Sequence, residues 1–304
     1  MSGRAHLAVV GLAVSTGGLG CTGSPPPRSQ FPSGADALSR MKATYACSNG
    51  IQGAGKLDVL SDQGRVRGNA AVFAVNPARV RIDIESSFNS LVYALASDGE
   101  VFRMADNPQK LFLTGPAKAC NLARLTRVPV PGHALVSLMR GEAPLLVHEP
   151  GAATIRWEDG HYVVEVPSTR SAKLELWLEV YDDDRDKDWR EQRVRVRRVE
   201  VLQSQVPLYS VDLDDYASTK TAPARVDPDG IEPDLPPSGG ACEAETPREI
   251  HFVVPTTGDD VVFKYDQVSF NPPLPQGAFS LNQPAGARVQ VVDCVDAPTR
   301  PASP

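Results

Sequence analysis

The chain predicts a mainly β fold of the α+β class, a strongly curved antiparallel sheet of about eleven strands with helices filling its concave side. Three observations carry this expectation. Apolar and polar residues alternate in one segment after another, most cleanly in Arg79–Glu85, where Val80, Ile82 and Ile84 share one face. Turn formers are abundant, with 24 Gly and 27 Pro, while aromatic residues make up only 6%, as suits short strands joined by frequent turns. A helical stretch interrupts the strands near the middle, and strands broken by helices pack as a sheet with helices on one face.

Taken in order, Ser33-Gly34-Ala35-Asp36 is a capping sequence for a helix running to about Tyr45, with Leu38, Met41 and Tyr45 on one face. Strands follow over Gly55–Leu60 and Arg65–Val75, joined by an Asp-Gln-Gly turn, then over Arg79–Glu85, Leu91–Ser97, Glu100–Met104 and Lys110–Thr114. Asp98-Gly99 is a hairpin dipeptide. Cys120–Thr126 reads as a short helical turn, and Gly132–Arg140 carries Leu135, Leu138 and Met139 at helical spacing after the Pro129–Pro131 stop. Strands resume over Ala153–Glu158, His161–Pro167 and Lys173–Val180. In Arg193–Leu202, Val194 and Val196 hold one phase and Val199 and Val201 the other, which predicts a β-bulge near Arg197–Arg198. Residues 217–247 are rich in Pro, Asp, Gly and Ser and read as a long irregular insertion. Strand character returns at Glu249–Val254, Val261–Asn271 and Arg288–Asp293, and residues 297–304 form a tail.

The N-terminus reads as an export signal. Arg4 precedes the apolar run Leu7–Gly20, small residues follow, and Cys21 opens a Ser/Pro-rich stretch. Small residues leading into a cysteine resemble a bacterial lipobox, with Gly18 in place of the usual leucine. That resemblance implies cleavage after residue 20, diacylation of the Cys21 thiol and a flexible tether over 21–33. An ordinary secretory leader is the competing reading. The run is only about 14 residues, short of the ~20 needed for a transmembrane helix. Exported cysteines pair in oxidising compartments, and four remain: Cys47, Cys120, Cys242 and Cys294. Cys47–Cys120 and Cys242–Cys294 are the expected pairs, each within one half of the chain; free buried thiols are the alternative.

Composition narrows the function. A formal charge of −6 without a dense Lys/Arg cluster argues against nucleic acid as a partner, and Arg193–Arg198 (RVRVRR) reads as the polar face of a strand. Asp182–Asp188 (DDDRDKD) fails as a calcium loop, because the required glycine and glutamate positions hold Lys187 and Arg193; a solvated turn is expected. A G-x-G-x-x-G string at 18–23 lacks the strand–turn–helix unit of a dinucleotide site. His133, His148, His161 and His251 are scattered, one per segment, so no catalytic residue, metal or cofactor is assigned.

Two segments resemble a known family. Arg79–Leu95 (RVRIDIESSFNSLVYAL) has an arginine-led apolar strand, a loop with one exposed hydrophobe and a second apolar strand. Leu125–Gly141 (LTRVPVPGHALVSLMRG) has a leucine, a Pro-x-Pro entry and a helix of the form L-x-x-L-x-x-G. Both are similar to the LolA/LolB lipoprotein-carrier family, in particular its outer-membrane receptor branch, over roughly residues 35–216. The resemblance implies one incomplete antiparallel barrel of about eleven strands over 34–296, closed by helices around a cavity for acyl chains. It also implies a monomer that takes lipoproteins from a periplasmic carrier and inserts them into outer-membrane lipid.

Under that reading Val80, Ile82, Ile84, Leu91, Tyr93 and Leu95 form the cavity wall and Leu135, Leu138 and Met139 the lid, against the plainer reading of an ordinary packed core. Phe88, between Ser86-Ser87 and Asn89-Ser90, either folds back on the core or projects. The residues alone favour folding back, while the family resemblance implies projection toward a membrane. Thr22 stands where an aspartate would signal inner-membrane retention, so the expected site is the outer membrane, lipid-anchored and facing the periplasm. Two rivals remain: an envelope assembly lipoprotein binding a protein partner through the 217–247 insertion, and a hydrolase with dispersed catalytic residues.

Overall fold

A computed structural model describes residues 24–294 apart from 63, 87, 89 and 232. The leader, Cys21 and its lipidation, and the tail at 297–304 lie outside the described residues. Helix α1 (Gly34–Thr44) begins where the capping sequence places it: the Ser33 hydroxyl accepts from the Asp36 amide at 3.2 Å and donates to the Asp36 carboxylate at 2.7 Å. Five antiparallel neighbours follow the first strand: β1 (Gly50–Ser61), β2 (Gly64–Val75), β3 (Arg79–Glu85), β4 (Leu91–Ser97), β5 (Val101–Asp106) and β6 (Leu111–Pro116). Helices α2 (Ala119–Thr126) and α3 (Gly132–Met139) interrupt them. The chain continues through β7 (Thr154–Glu158), β8 (His161–Pro167), β9 (Ala172–Val180), β10 (Val194–Gln203), β11 (Val206–Lys220), β12 (Glu243–Val254), β13 (Asp259–Phe270) and β14 (Arg288–Val291).

All fourteen strands join one open, curled sheet in the order β14-β6-β5-β4-β3-β2-β1-β13-β12-β11-β10-β9-β8-β7. The pairing of β1 with β13 stitches the C-terminal third into the middle of the sheet. Inward residues such as Leu174, Leu176 and Leu178 of β9 and Val194, Val196 and Val199 of β10 are fully buried under α1, while α2 and α3 cover β2 to β5. The expected bulge lies at Arg197, between the pairs Val196–Leu178 and Arg198–Trp177, which keeps the valines on either side of it inward. On the outer face Arg195, Arg197 and Arg198 pair with Glu245, Asp214 and Asp212 at 2.5, 2.5 and 3.0 Å, as a polar strand face should.

Four expectations change. Fourteen strands replace about eleven: every strand segment read from the sequence forms, and β11 is added, its inward Tyr209, Val211 and Leu213 hidden among aspartates and a proline. The irregular insertion shrinks from 217–247 to 221–242, because Ala217 to Lys220 pair with Glu243 to Thr246. Small polar residues hold that ladder together, including a buried Thr219–Thr246 hydroxyl bond of 2.6 Å that hydrophobic patterning does not register. The disulfides are Cys47–Cys242 and Cys120–Cys294, replacing the expected within-half pairs. Halves of the sequence are not halves of this sheet: β1 pairs with β13, which puts β12 one strand further on, and β14 returns to β6. Finally, β14 runs parallel to β6. Residues 272–287 first cross the outer face of the sheet, where Leu281 and Ala287 pack on Ala94, Ala105 and Phe112, so the chain reaches the edge already heading in the direction of β6. Gly115 permits the close approach, since a Cβ there would sit 1.9 Å from the Val292 carbonyl oxygen.

The two ends of the sheet differ. The β1–β2, β3–β4, β5–β6, β8–β9, β10–β11 and β12–β13 turns share one end, here the rim. Both disulfides and residues 221–242 lie at the far end. There Asn271 accepts from the Asn49 amide at 2.7 Å and donates to the Cys47 and Gly240 carbonyls at 3.0 and 2.8 Å. The acidic turn is also less solvated than expected. Asp184 is fully buried and meets Lys187 at 2.6 Å and Arg193 at 2.7 and 3.0 Å. Burial alone would raise its pKa, but these bonds hold it well below the ordinary aspartate range.

Residues 24–33, read as flexible tether, are seated at the far end. Trp157 donates to the Ser24 carbonyl at 3.1 Å, Trp189 and Gln192 bind Ser29 at 3.0 and 2.9 Å, and Phe31 packs 4.7 Å from Tyr162.

Two outcomes follow. Phe31→Ala should release the segment: tryptic cleavage after Arg28 quickens, β-sheet circular dichroism is retained, and stability falls by about 3 kcal/mol. Asp184→Asn should cost about 2–3 kcal/mol at neutral pH. A depressed native pKa contributes stability above the unfolded value and loses it as pH falls, so chemical denaturation should find the gap between the two proteins closing below about pH 4.

Candidate functional site

Between the curled sheet and the α2–α3 segment lies one almost wholly apolar cavity of about 50 Å³. Its floor is Leu57 of β1, Ala70 and Val72 of β2, and Ile82 and Ile84 of β3; Phe252, Val261 and Phe263 of β12 and β13 form the side wall. Register explains the floor, because Ala70 faces Ile84 and Val72 faces Ile82, and directly opposed residues share a face. Leu125 and Thr126 in the last turn of α2 and Val128 just beyond it, with Leu135 and Met139 of α3, roof it. The roof is seated by Tyr265, whose buried phenol donates to the Met139 carbonyl at 3.2 Å; burial pushes its pKa up, so it stays a donor.

Of the expected wall and lid, Ile82, Ile84, Leu135 and Met139 line this cavity. Val80, Leu95 and Leu138 are fully buried in the same core without lining it. Tyr93 borders a second cleft of about 250 Å³ that adjoins the first through Leu57, Ile84 and Leu125 and opens toward the rim past Asp106, Gln109, Arg124 and Arg127. Leu91 is a correction. A register shift pairs Ile84 with Tyr93 but Glu85 with Leu91, so the bulge at Val92 turns Leu91 to the outward face of Glu85 and leaves it 40% exposed. Sequence reasoning missed Leu57, Ala70, Val72, Phe252, Val261 and Phe263. Each lies in a segment read as a strand, but only the β1–β13 pairing brings the two groups together.

Phe88 projects. It is 90% exposed at the tip of the β3–β4 turn, whose backbone is closed by the Ser86 amide on the Ser90 carbonyl at 2.9 Å and by Phe88 and Ser90 amides on the Ser86 hydroxyl. Folding back, the preference of the residues alone, is therefore not what this tight Ser-closed turn does. Leu60, Val66, Val147 and Val206 are also exposed at the rim, Val147 through its carbonyl bond to the Thr169 amide of the β8–β9 turn. The six rim turns carry few charges, namely Asp62, Lys110 and Arg170.

Among the described residues no helix is long and apolar enough to cross a membrane, and no three His, Cys, Asp or Glu are grouped to hold a metal ion. No family model matches the chain, and no curated protein matches it in sequence. In structure it is similar to an outer membrane lipoprotein-sorting protein domain from Vibrio parahaemolyticus, at 10% identity and TM-score 0.47, covering 82% of this chain and 96% of that one. It is also similar to a LolA superfamily protein from Nitrosomonas europaea, at 12% identity and TM-score 0.48, covering 83% and 99%. A third similar structure is a DUF1329 family protein from Desulfovibrio piger, at 10% identity and TM-score 0.47, covering 81% and 95%.

The cavity is lined almost wholly by apolar atoms, so shrinking its residues should be felt. Leu135→Ala should lower the unfolding free energy by about 2–5 kcal/mol in urea titration, with the m-value unchanged.

Proposed function

We propose that this chain carries hydrophobic moieties, specifically the acyl chains of lipoproteins, and delivers them to the outer membrane as a lipid-anchored, periplasm-facing monomer. The observation that carries the reading is the apolar cavity roofed by a helical segment rather than by sheet. An acyl chain gains ~0.8 kcal/mol for each methylene withdrawn from water, so a dry hollow is the physical requirement for such cargo. The cavity of about 50 Å³ is smaller than the ~300–1,000 Å³ of ligand pockets, so cargo enters only as the α2–α3 segment moves off the sheet. No covalent step, metal or nucleic acid belongs to this cycle; its partners are a periplasmic lipoprotein carrier, the cargo and outer-membrane lipid.

Phe88 is the membrane-directed residue in this reading. A nearly fully exposed aromatic, among exposed aliphatics and turns with few charges, suits an interfacial contact. Anchoring through Cys21 adds a requirement, because Ser24 is held at the end opposite Phe88. Released from its seat, the segment 21–33 reaches about 45 Å, comparable with the ~40 Å length of a strand such as β1. The seated segment is therefore a tether in its stowed form.

Titration with a fluorescent fatty acid tests the reading: saturable binding is expected, and its absence defeats the cavity. Phe88→Glu should abolish transfer of lipoprotein to vesicles while leaving fatty-acid binding and the melting temperature nearly unchanged, since exposed substitutions rarely cost more than about 0.5 kcal/mol. The disulfide-based loop 221–242, with Val226 and Ile231 exposed, favours one second reading, an assembly lipoprotein that grips an envelope protein there. Cross-linking in cells separates them by whether cargo and carrier or a single envelope assembly is captured.

A further inference from the structure

The apolar lining does not end at the cavity. Leu57, Ile84 and Leu125 line it and also line the cleft of about 250 Å³ on its rim side, so the two spaces meet across these three side chains. The cleft is the mouth of the cavity and much the larger of the two. It continues to the surface. Buried Val59 stands opposite Val66 in the β1–β2 register, and Val66, 51% exposed at the rim, lines the mouth beside it. Tyr93 stands opposite Ile84 in the β3–β4 hairpin, whose tip carries Phe88, and Met104 adds to the wall from β5. An apolar lining therefore reaches from the exposed rim to the cavity floor.

The three shared residues differ in their freedom to move. Leu57 lies on β1, paired on both sides by β2 and β13, and Ile84 is a buried β-branched residue with a stiff χ1. Leu125 belongs instead to the last turn of α2, in the roof. Its side chain is half-buried, whereas Leu122 one turn earlier is fully buried. The backbone around Leu125 is held. The Thr126 hydroxyl is shared between the Leu122 and Val128 carbonyls, 3.2 Å from each, and Arg127 ends the helix with a φ of 58°. A half-buried leucine on a held backbone, with open space on two sides, can change rotamer without unwinding its helix.

We propose that the mouth is the first station for an acyl chain, and that Leu125 is the stop that sets how much of the chain it accepts. This rests on the tail-binding reading and deepens it: the tail lodges first with the roof seated, and ligands are selected by chain length. Methylenes lodged before the stop are withdrawn from water, while those in excess remain in solvent at the rim. Chain beyond the stop reaches the cavity only when Leu125 turns aside or the roof lifts.

The test displaces cis-parinaric acid from the full chain with saturated fatty acids from octanoate to stearate, and repeats the series with Leu125→Ala and Leu125→Phe. For the unaltered chain, affinity should rise about fourfold with each added methylene and then level off at a break. L125A joins the mouth to the cavity, so the break should move to longer chains, and acids just past it should tighten at least about tenfold. L125F should move the break to shorter chains. Acids shorter than every break should bind all three proteins alike, which a merely loosened roof would not give. A break at one length in all three proteins, no break, or equal weakening of every acid by L125A overturns the stop while leaving the tail-binding reading intact. Failure of cis-parinaric acid to bind saturably overturns that reading itself, and the stop with it.

Discussion

The structure depends on one constraint: a single continuous sheet with an apolar inner face must bury that face without a second sheet. Curling brings the two wings of the sheet toward each other, and the space between them is too wide for the side chains of the sheet to fill alone. Helix α1 fills it on the β7–β10 side with Ala37, Leu38 and Met41, all buried. On the β2–β5 side the filling is shared by α2, α3 and the extended link between them, and it is less complete. The cavity lies where that filling runs short.

The two wings also differ in how their polar groups are settled. Around α1 the far end is knit by side chains of large reach: Asp184 with Arg193 and Lys187, Tyr45 to the Glu245 carbonyl at 3.2 Å, and buried Arg140 to both Ser48 and Glu142. Breaking one partner of such a group strands a buried charge, which is costly. The roof over the cavity is held by apolar contact, by the Tyr265 phenol bond, by the Cys120–Cys294 disulfide at the start of α2 and by Arg140 just past α3.

Much of this was legible in the chain. Alternation located the strands of the first wing, Ser33 located the start of α1, and the phase slip of four valines located the bulge at Arg197. Those signals are local, since period and capping act over a few residues. Strand β11 escaped because its polar outward residues and its positive-φ Asp215 break the pattern that its inward residues would show. The disulfide pairing escaped because it depends on which strands are neighbours, a property of the whole sheet. For the site, the inward face of Ile82, Ile84, Leu135 and Met139 was readable from alternation and helical spacing and their place around a cavity only through the family resemblance, whereas Phe252, Val261 and Phe263 joined them only through the β1–β13 register. Leu91 was misread because a bulge at the next residue reverses its face.

Both crosslinks sit at the same end of the molecule, and one of them has a mechanical meaning for the roof. Cys120 is the second residue of α2 and is riveted to Cys294 beyond the last strand, while the final turn of that helix borders the mouth. The helix is thus crosslinked at its first turn and free of covalent restraint at its last, the turn that lies toward the same edge as Phe88 and the other rim hydrophobes. In the proposed function, gate and landing face would therefore be one edge of the protein, and a tail leaving the interior would emerge among the exposed hydrophobes of the rim.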